Sequence, residues 1–200
     1  MSETQEFNAE KMRSDIAERI RNAKDNALSE ERLAEFEDKL RSYQDLFIKN
    51  GQRNPEDIAE EDQIEAEILR SSAVADTLNE FREVLEQIKA NYFLGEEWVN
   101  NLVEHENAHA NVAQATGHEW VGYGAVFIKD ANGQLSNIQP VHFTKPNLSW
   151  GPREVITKNI EVTEAPALYG NSLSEGDEKS VEEDQERLKR IDETRKRLGI

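Results

Sequence analysis

The stretch Val103-Glu104-His105-Glu106-Asn107-Ala108-His109-Ala110 sets two of the chain's four histidines four residues apart, with a glutamate directly after the first. Imidazole is the commonest metal-ligating side chain. On a helix, residues i and i+4 stand one turn apart on the same side, with about 6 Å between their β-carbons. Two ring nitrogens so placed can reach one zinc ion at about 2.0–2.1 Å. Glu106 falls about 100° round the helix from His105. That is too far round for a good ligand, but it suits a base that takes the proton of a metal-held water. Zinc lowers the pKa of such a water from about 15.7 to about 7. The plainer account is two core histidines at helical spacing. Burying two imidazoles side by side without partners is costly, and a shared ion removes that cost.

The flanking residues predict the helix that this chemistry needs. Gly95 ends what precedes, and a helix runs from Glu96 to about Thr116, stopped by Gly117 just past its end. Trp98, Leu102, His105, His109 and Val112 step by four, three, four and three, so both imidazoles are expected on the apolar face. A catalytic zinc normally has three protein ligands and one open position. His118 lies nine residues past His109, about 12 Å along the axis at 1.5 Å per residue, and reads as a helix-terminus histidine. His142 is a candidate, but it falls in a strand-like segment. The remaining candidates are carboxylates of the last helix, which begins near Ser174 and runs to about Leu198. Ser174 and Asp177 have the shape of a capping box with Asp in place of Glu. Asp177 and Asp184 share a face with Val181, Leu188, Ile191 and Leu198, and either is a candidate third ligand. Asp177 is also explained by the helix macrodipole. Asp184 interrupts an apolar stripe, and an inward carboxylate wants a cation.

The elements around these residues are mostly helical. Met12, Ile16 and Ile20 recur every fourth residue. Leu33, Phe36, Leu40, Tyr43 and Phe47 follow a Ser29 cap, and Gly51 and Pro55 break the run. A third helical stretch carries Ile64, Ile68, Val74, Leu78, Phe81, Leu85, Ile88 and Tyr92. This N-terminal half reads as a helical hairpin or coiled-coil-like region, with a partner protein as a second use for it. After the histidine helix, residues 120–143 read as a β-hairpin turning at Asn132-Gly133. Pro140 suggests that its second strand is at an edge or irregular. Gly122 and Gly124 suit either a bulge or the close approach of an extended peptide. Val155–Val162 is a short strand or a single helical turn. The expected fold is therefore α+β and mostly helical, with a helical region at 1–94 and a histidine-bearing domain at 95–200.

Composition limits the function classes. The net charge of −17 argues against general electrostatic binding of nucleic acid or an anionic membrane. With no cysteine, any metal must be held by His, Asp or Glu. The first residues have no basic or apolar leader character and no apolar run approaches the roughly 20 residues of a membrane span, so a cytoplasmic location is expected.

The string His105-Glu106-Asn107-Ala108-His109-Ala110, the hairpin after it and the distant carboxylate helix distantly resemble the peptidase domain of FtsH-type zinc proteases, among the zincin-type HExxH metallopeptidases. In that family the pattern is His-Glu-x-Gly-His-Ala, with an aspartate ligand near the start of a later helix. The resemblance implies His105 and His109 as ligands, Glu106 as general base, and Asp177 or Asp184 as third ligand. Asp177 fits by its place at the helix start and Asp184 by sequence distance. Ala108 stands where the family has glycine, and no ATPase or phosphate-binding loop is present. Residues Val112 and Ala115 exclude the metzincin pattern. The expected activity is a zinc-dependent hydrolase of peptide or protein substrates, with an edge strand holding the substrate extended. The alternative is a non-catalytic helical adaptor or inactive zincin relative whose metal braces the fold.

Overall fold

A computed structural model describes residues 3–92 and 94–199, with side-chain environments from residue 10 onward apart from 93 and 96. The elements are α1 (Glu3–Asp25), β1 (Leu28–Ser29), α2 (Glu30–Asn50), α3 (Pro55–Arg70), β2 (Ser72–Ala75), α4 (Leu78–Tyr92), α5 (Glu96–Thr116), β3 (Glu119–Lys129), β4 (Leu135–Lys145), α6 (Pro152–Thr163), α7 (Ala165–Leu168) and α8 (Glu175–Leu198). With 68% helix and 15% strand, the chain is a mostly helical α+β protein. Among the described residues, no helix is long and apolar enough to cross a membrane. The chain forms two compact units, each drawn from both sides of residue 94. The first comprises Met1–Phe36, Gln63–Val103 and Gly122–Phe143, the second Glu37–Asp62, Glu104–Val121 and Thr144–Ile200.

The first unit is built on β3, whose residues from Gly122 to Ile128 form an unbroken buried run. A strand covered on both faces reads as continuous hydrophobicity, not alternation. β3 pairs antiparallel with β2, Ser72 opposite Val126 and Ala75 opposite Tyr123, and parallel with β1 at Leu28–Ile128. It also pairs with β4 through the expected tight turn, where Gly133 sits at φ 75°. The third helical stretch of the sequence is not one helix. Ser71 and Ser72 both turn their hydroxyls onto the Ile68 carbonyl, at 2.7 and 2.6 Å, where α3 ends. Val74, on helical spacing in the sequence, therefore lies in β2. Thr77 restarts the helix by accepting the Glu80 amide at 3.2 Å. From there Phe81, Val84, Leu85 and Ile88 are buried on the face of α4 that the spacing foretold. Each such side chain contributes roughly 1.5–3 kcal/mol of burial. Phe81 also stacks on Tyr123 with ring centroids 5.0 Å apart.

The two β3 glycines admit the chain's own sheet. A β-carbon on Gly122, at φ 153°, would stand 3.0 Å from the Ala75 carbonyl oxygen, and one on Gly124 would stand 2.6 Å from the Phe143 ring. The space the sequence offered for an approaching peptide is taken by β2 and β4.

In the second unit, α6 packs along α8. Residues 155–162, expected as a strand or a single turn, lie in the 12-residue helix α6. Its run of β-branched residues suits a strand, but Gly151 at the N-cap and Pro152 at N1 start a helix without losing a needed donor. α8 begins with the expected capping box and ends on Gly199 at φ 73°. Its buried stripe is Val181, Asp184 and Arg187, while Leu198, expected on the apolar face, is 65% exposed. Arg187 lies 2.9 Å from Asp184 and 3.1 Å from Asp45 of α2, so this stripe holds an ion-pair cluster where an apolar seam was expected.

Candidate metal centre

Helix α5 carries the two histidines, and Gly117 at φ 91° stops it as expected. The deepest line along the helix is Val99, Val103, Glu106, Ala110 and Ala113, at the same four-three spacing but one position on from the expected stripe. Glu106 therefore lies on the buried face, 6% exposed. His109 stands on its flank with a side chain 2% exposed, and His105 is more open at 15%.

Three side chains of the second unit converge here. His105 Nε2 lies 3.0 Å from Asp177 Oδ2, and His109 Nε2 lies 3.2 Å from His105 Nε2 and 3.6 Å from Asp177 Oδ1. Ligand atoms on a tetrahedral zinc at about 2.0–2.1 Å stand about 3.3 Å apart; the 3.0 and 3.2 Å separations from His105 Nε2 are close to this, and one ligand atom of each of the three residues lies within 4.8 Å of the other two. The tautomer of His109 is set by a backbone acceptor. Its Nδ1 is 2.7 Å from the Val162 carbonyl of α6, and a carbonyl only accepts, so Nδ1 carries the hydrogen. In the neutral ring the Nε2 lone pair then faces His105 and Asp177. A metal-binding histidine usually has its other nitrogen tied down in this manner.

The same contacts govern the charges. Burial disfavours ionised Asp177. The contacts with His105 and His109 and the hydrogen bonds from Ser174 outweigh it and hold the carboxyl far below its ordinary range. Burial also disfavours a His109 cation, but Asp177, the Val162 carbonyl and the charge of Glu106 together raise its pKa above 6.5. A carboxylate oxygen of Glu106 and a ring nitrogen of His109 lie within 4.8 Å of one another. The acid is thus beside the cluster without belonging to the triangle.

Of the two aspartates the sequence left open, Asp177 joins the histidines. Asp184 does not: two turns further along α8, its carboxylate accepts from Arg187 at 2.9 Å and Gln44 at 3.3 Å. The cation that its buried position called for is a guanidinium. Burial pushes its carboxyl up, against the pull of Arg187. His142 lies on β4, in the first unit. His118 is the helix-terminus residue expected, with Nδ1 2.9 Å from Thr116 Oγ1 and Nε2 3.3 Å from Asn159 Oδ1. Nearby, Lys158 donates to the Thr116 carbonyl at 2.8 Å and so satisfies an end carbonyl of α5. The Val162 carbonyl and the Lys158 clasp carried no signal in the sequence: one is backbone, and both belong to a segment that read as strand or turn.

Compared with family models, curated proteins and solved structures, the chain matches none.

Proposed function

We propose that this chain is a zinc-dependent peptidase in which His105, His109 and Asp177 hold the ion and Glu106 is the general base. The observation that carries the reading is the convergence of two Nε2 atoms and one carboxylate, Oδ2 being 3.0 Å from His105 Nε2, Oδ1 3.6 Å from His109 Nε2 and the two nitrogens 3.2 Å apart, with a buried glutamate beside them. The donor set is right for zinc: two neutral imidazoles and one carboxylate, with no sulfur. Bound zinc supplies a Lewis acid for the scissile carbonyl and acidifies the attacking water. Glu106 takes the proton of that water and returns it to the leaving amine, a role open to a carboxylate shielded from bulk solvent. His109 stays fixed throughout, because turning its ring would break the Val162 bond. Asp177 offsets part of the ion's charge and is ionised at any working pH.

The test is cleavage of a broad peptide library, read by mass spectrometry, by the full chain after zinc-replete expression. Wild type is expected to cut and to stop when zinc is chelated. Glu106→Gln is expected to keep one zinc while cutting about 10²–10⁴-fold more slowly. A zinc-loaded wild type that leaves the library uncut, or a Gln variant as fast as wild type, overturns the catalytic reading in favour of a metal that only braces the fold.

A further inference from the structure

Asp177 stands at N3 of α8, and its carboxylate does two things at once. Oδ2 accepts the Ser174 hydroxyl at 2.7 Å and the Ser174 amide at 3.0 Å, while the Asp177 amide donates back to the hydroxyl at 3.1 Å. The same Oδ2 lies 3.0 Å from His105 Nε2. Oδ1 carries none of the Ser174 contacts and faces His109 Nε2 at 3.6 Å. The capping box and the third corner of the triangle are therefore one carboxylate, held by one serine.

We propose that Ser174 is the positioning residue of the metal centre. By tying Oδ2 with two donors it fixes the plane of the carboxylate that faces both imidazoles. This rests on the zinc reading above and adds a residue to it. An aspartate side chain has two rotatable bonds, and every wrong rotamer moves the third ligand out of the triangle. Two hydrogen bonds to one oxygen remove that freedom before the ion arrives, which is how partners behind the ligands strengthen a metal site. The arrangement also couples metal to helix order. An α8 whose first turn frays loses the third ligand, and an ion on Asp177 holds the first turn in place. Ser174 is itself solvent-exposed, so replacing it leaves the packed interior alone.

The experiment must separate capping from positioning, and residue choice does so. Glycine at an N-cap sacrifices little helix stability relative to serine, whereas it has no hydroxyl to give. Threonine keeps both the cap and the donor. Zinc(II) affinity of the full-length wild type, Ser174→Gly and Ser174→Thr is measured by competition with a chromophoric chelator. Helix content and the metal-free melting temperature are recorded alongside. The expected result is an affinity about 10–100-fold weaker for Gly and within about threefold of wild type for Thr. The metal-free Gly variant should melt within about 2 °C of wild type. An affinity for Gly within threefold of wild type overturns the positioning role and leaves the zinc reading standing. Equal losses in Gly and Thr overturn it too. A wild type that binds no zinc removes both readings, and that failure shows in the wild-type titration alone.

Discussion

Replacing Asp177 by alanine and, separately, Asp184 by alanine distinguishes the two aspartates that share one face of α8. Without metal, Asp177 accepts charge-assisted hydrogen bonds from Ser174 and His105. Bonds to charged groups contribute about 1.5–3 kcal/mol each when shielded, and less here because Ser174 is exposed. A loss of about 2–3 kcal/mol follows. At about 2–4 °C per kcal/mol for a chain of this size, the metal-free midpoint falls by about 4–12 °C. Added zinc is the sharper probe. At a free concentration of 100 times the wild-type Kd it stabilises the folded chain by about 2.7 kcal/mol, an upshift of about 5–11 °C. If Asp177→Ala weakens binding a hundredfold or more, the same zinc gives at most about 0.4 kcal/mol and an upshift under about 2 °C. Asp184→Ala leaves Arg187 paired with Asp45 at 3.1 Å, so its metal-free midpoint falls by the equivalent of about 1–3 kcal/mol. Its zinc upshift remains that of wild type, because Asp184 lies two turns along α8 from Asp177 and its carboxylate is held by Arg187 and Gln44. The assay is a thermal melt with and without zinc at a fixed chelator-buffered concentration. An Asp177→Ala protein that keeps the full upshift, or an Asp184→Ala protein that loses it, refutes the assignment.

Three further outcomes follow from contacts in the structure. The His109 pKa is raised by folding, so its contribution is fully present below about pH 6.5 and is lost as the pH climbs through the folded value. The metal-free midpoint should therefore fall as the pH rises above about 6.5, and the fall should flatten in Asp177→Asn; a midpoint that rises instead contradicts the charge balance drawn for the cluster. The depressed carboxyl of Asp177 works at the other end of the scale, its contribution being present above about pH 4 and lost on further acidification. In the first unit, Gly124→Ala drives a β-carbon to 2.6 Å from the Phe143 ring and should cost about 1–3 kcal/mol in urea unfolding. An unchanged midpoint there means that β3 and β4 are not packed as tightly as described.

The mostly helical α+β class and the local placement of the histidine helix and the capping box were legible in the sequence. His105 and His109 share a helix side for the simple reason that they are four apart, and Gly95 and Gly117 delimit that helix. The Ser174-Asp177 box likewise needs only local spacing. Which aspartate meets the histidines was not legible, because both occupy one face and only the packing of α8 decides which turn lies beside α5. Val74 misled for a different reason. Its spacing fits the helical seam, and the stop comes from the Ser71 and Ser72 hydroxyls, a local competition that periodicity does not report. In α6, β-branched residues spoke for a strand and the Gly151-Pro152 start for a helix; packing along α8 settled it. The inward guanidinium of Arg187, which answers Asp184, is invisible to a pattern that counts arginine as surface.

The account stands or falls on whether three side chains of one unit share an ion. The direct measurement is the metal content of gel-filtered full-length chain by atomic emission, for wild type beside His109→Ala. The account predicts one zinc per wild-type chain and essentially none in the variant. Wild-type chain from zinc-replete cells that emerges without metal contradicts it, as does a His109→Ala chain that retains one zinc.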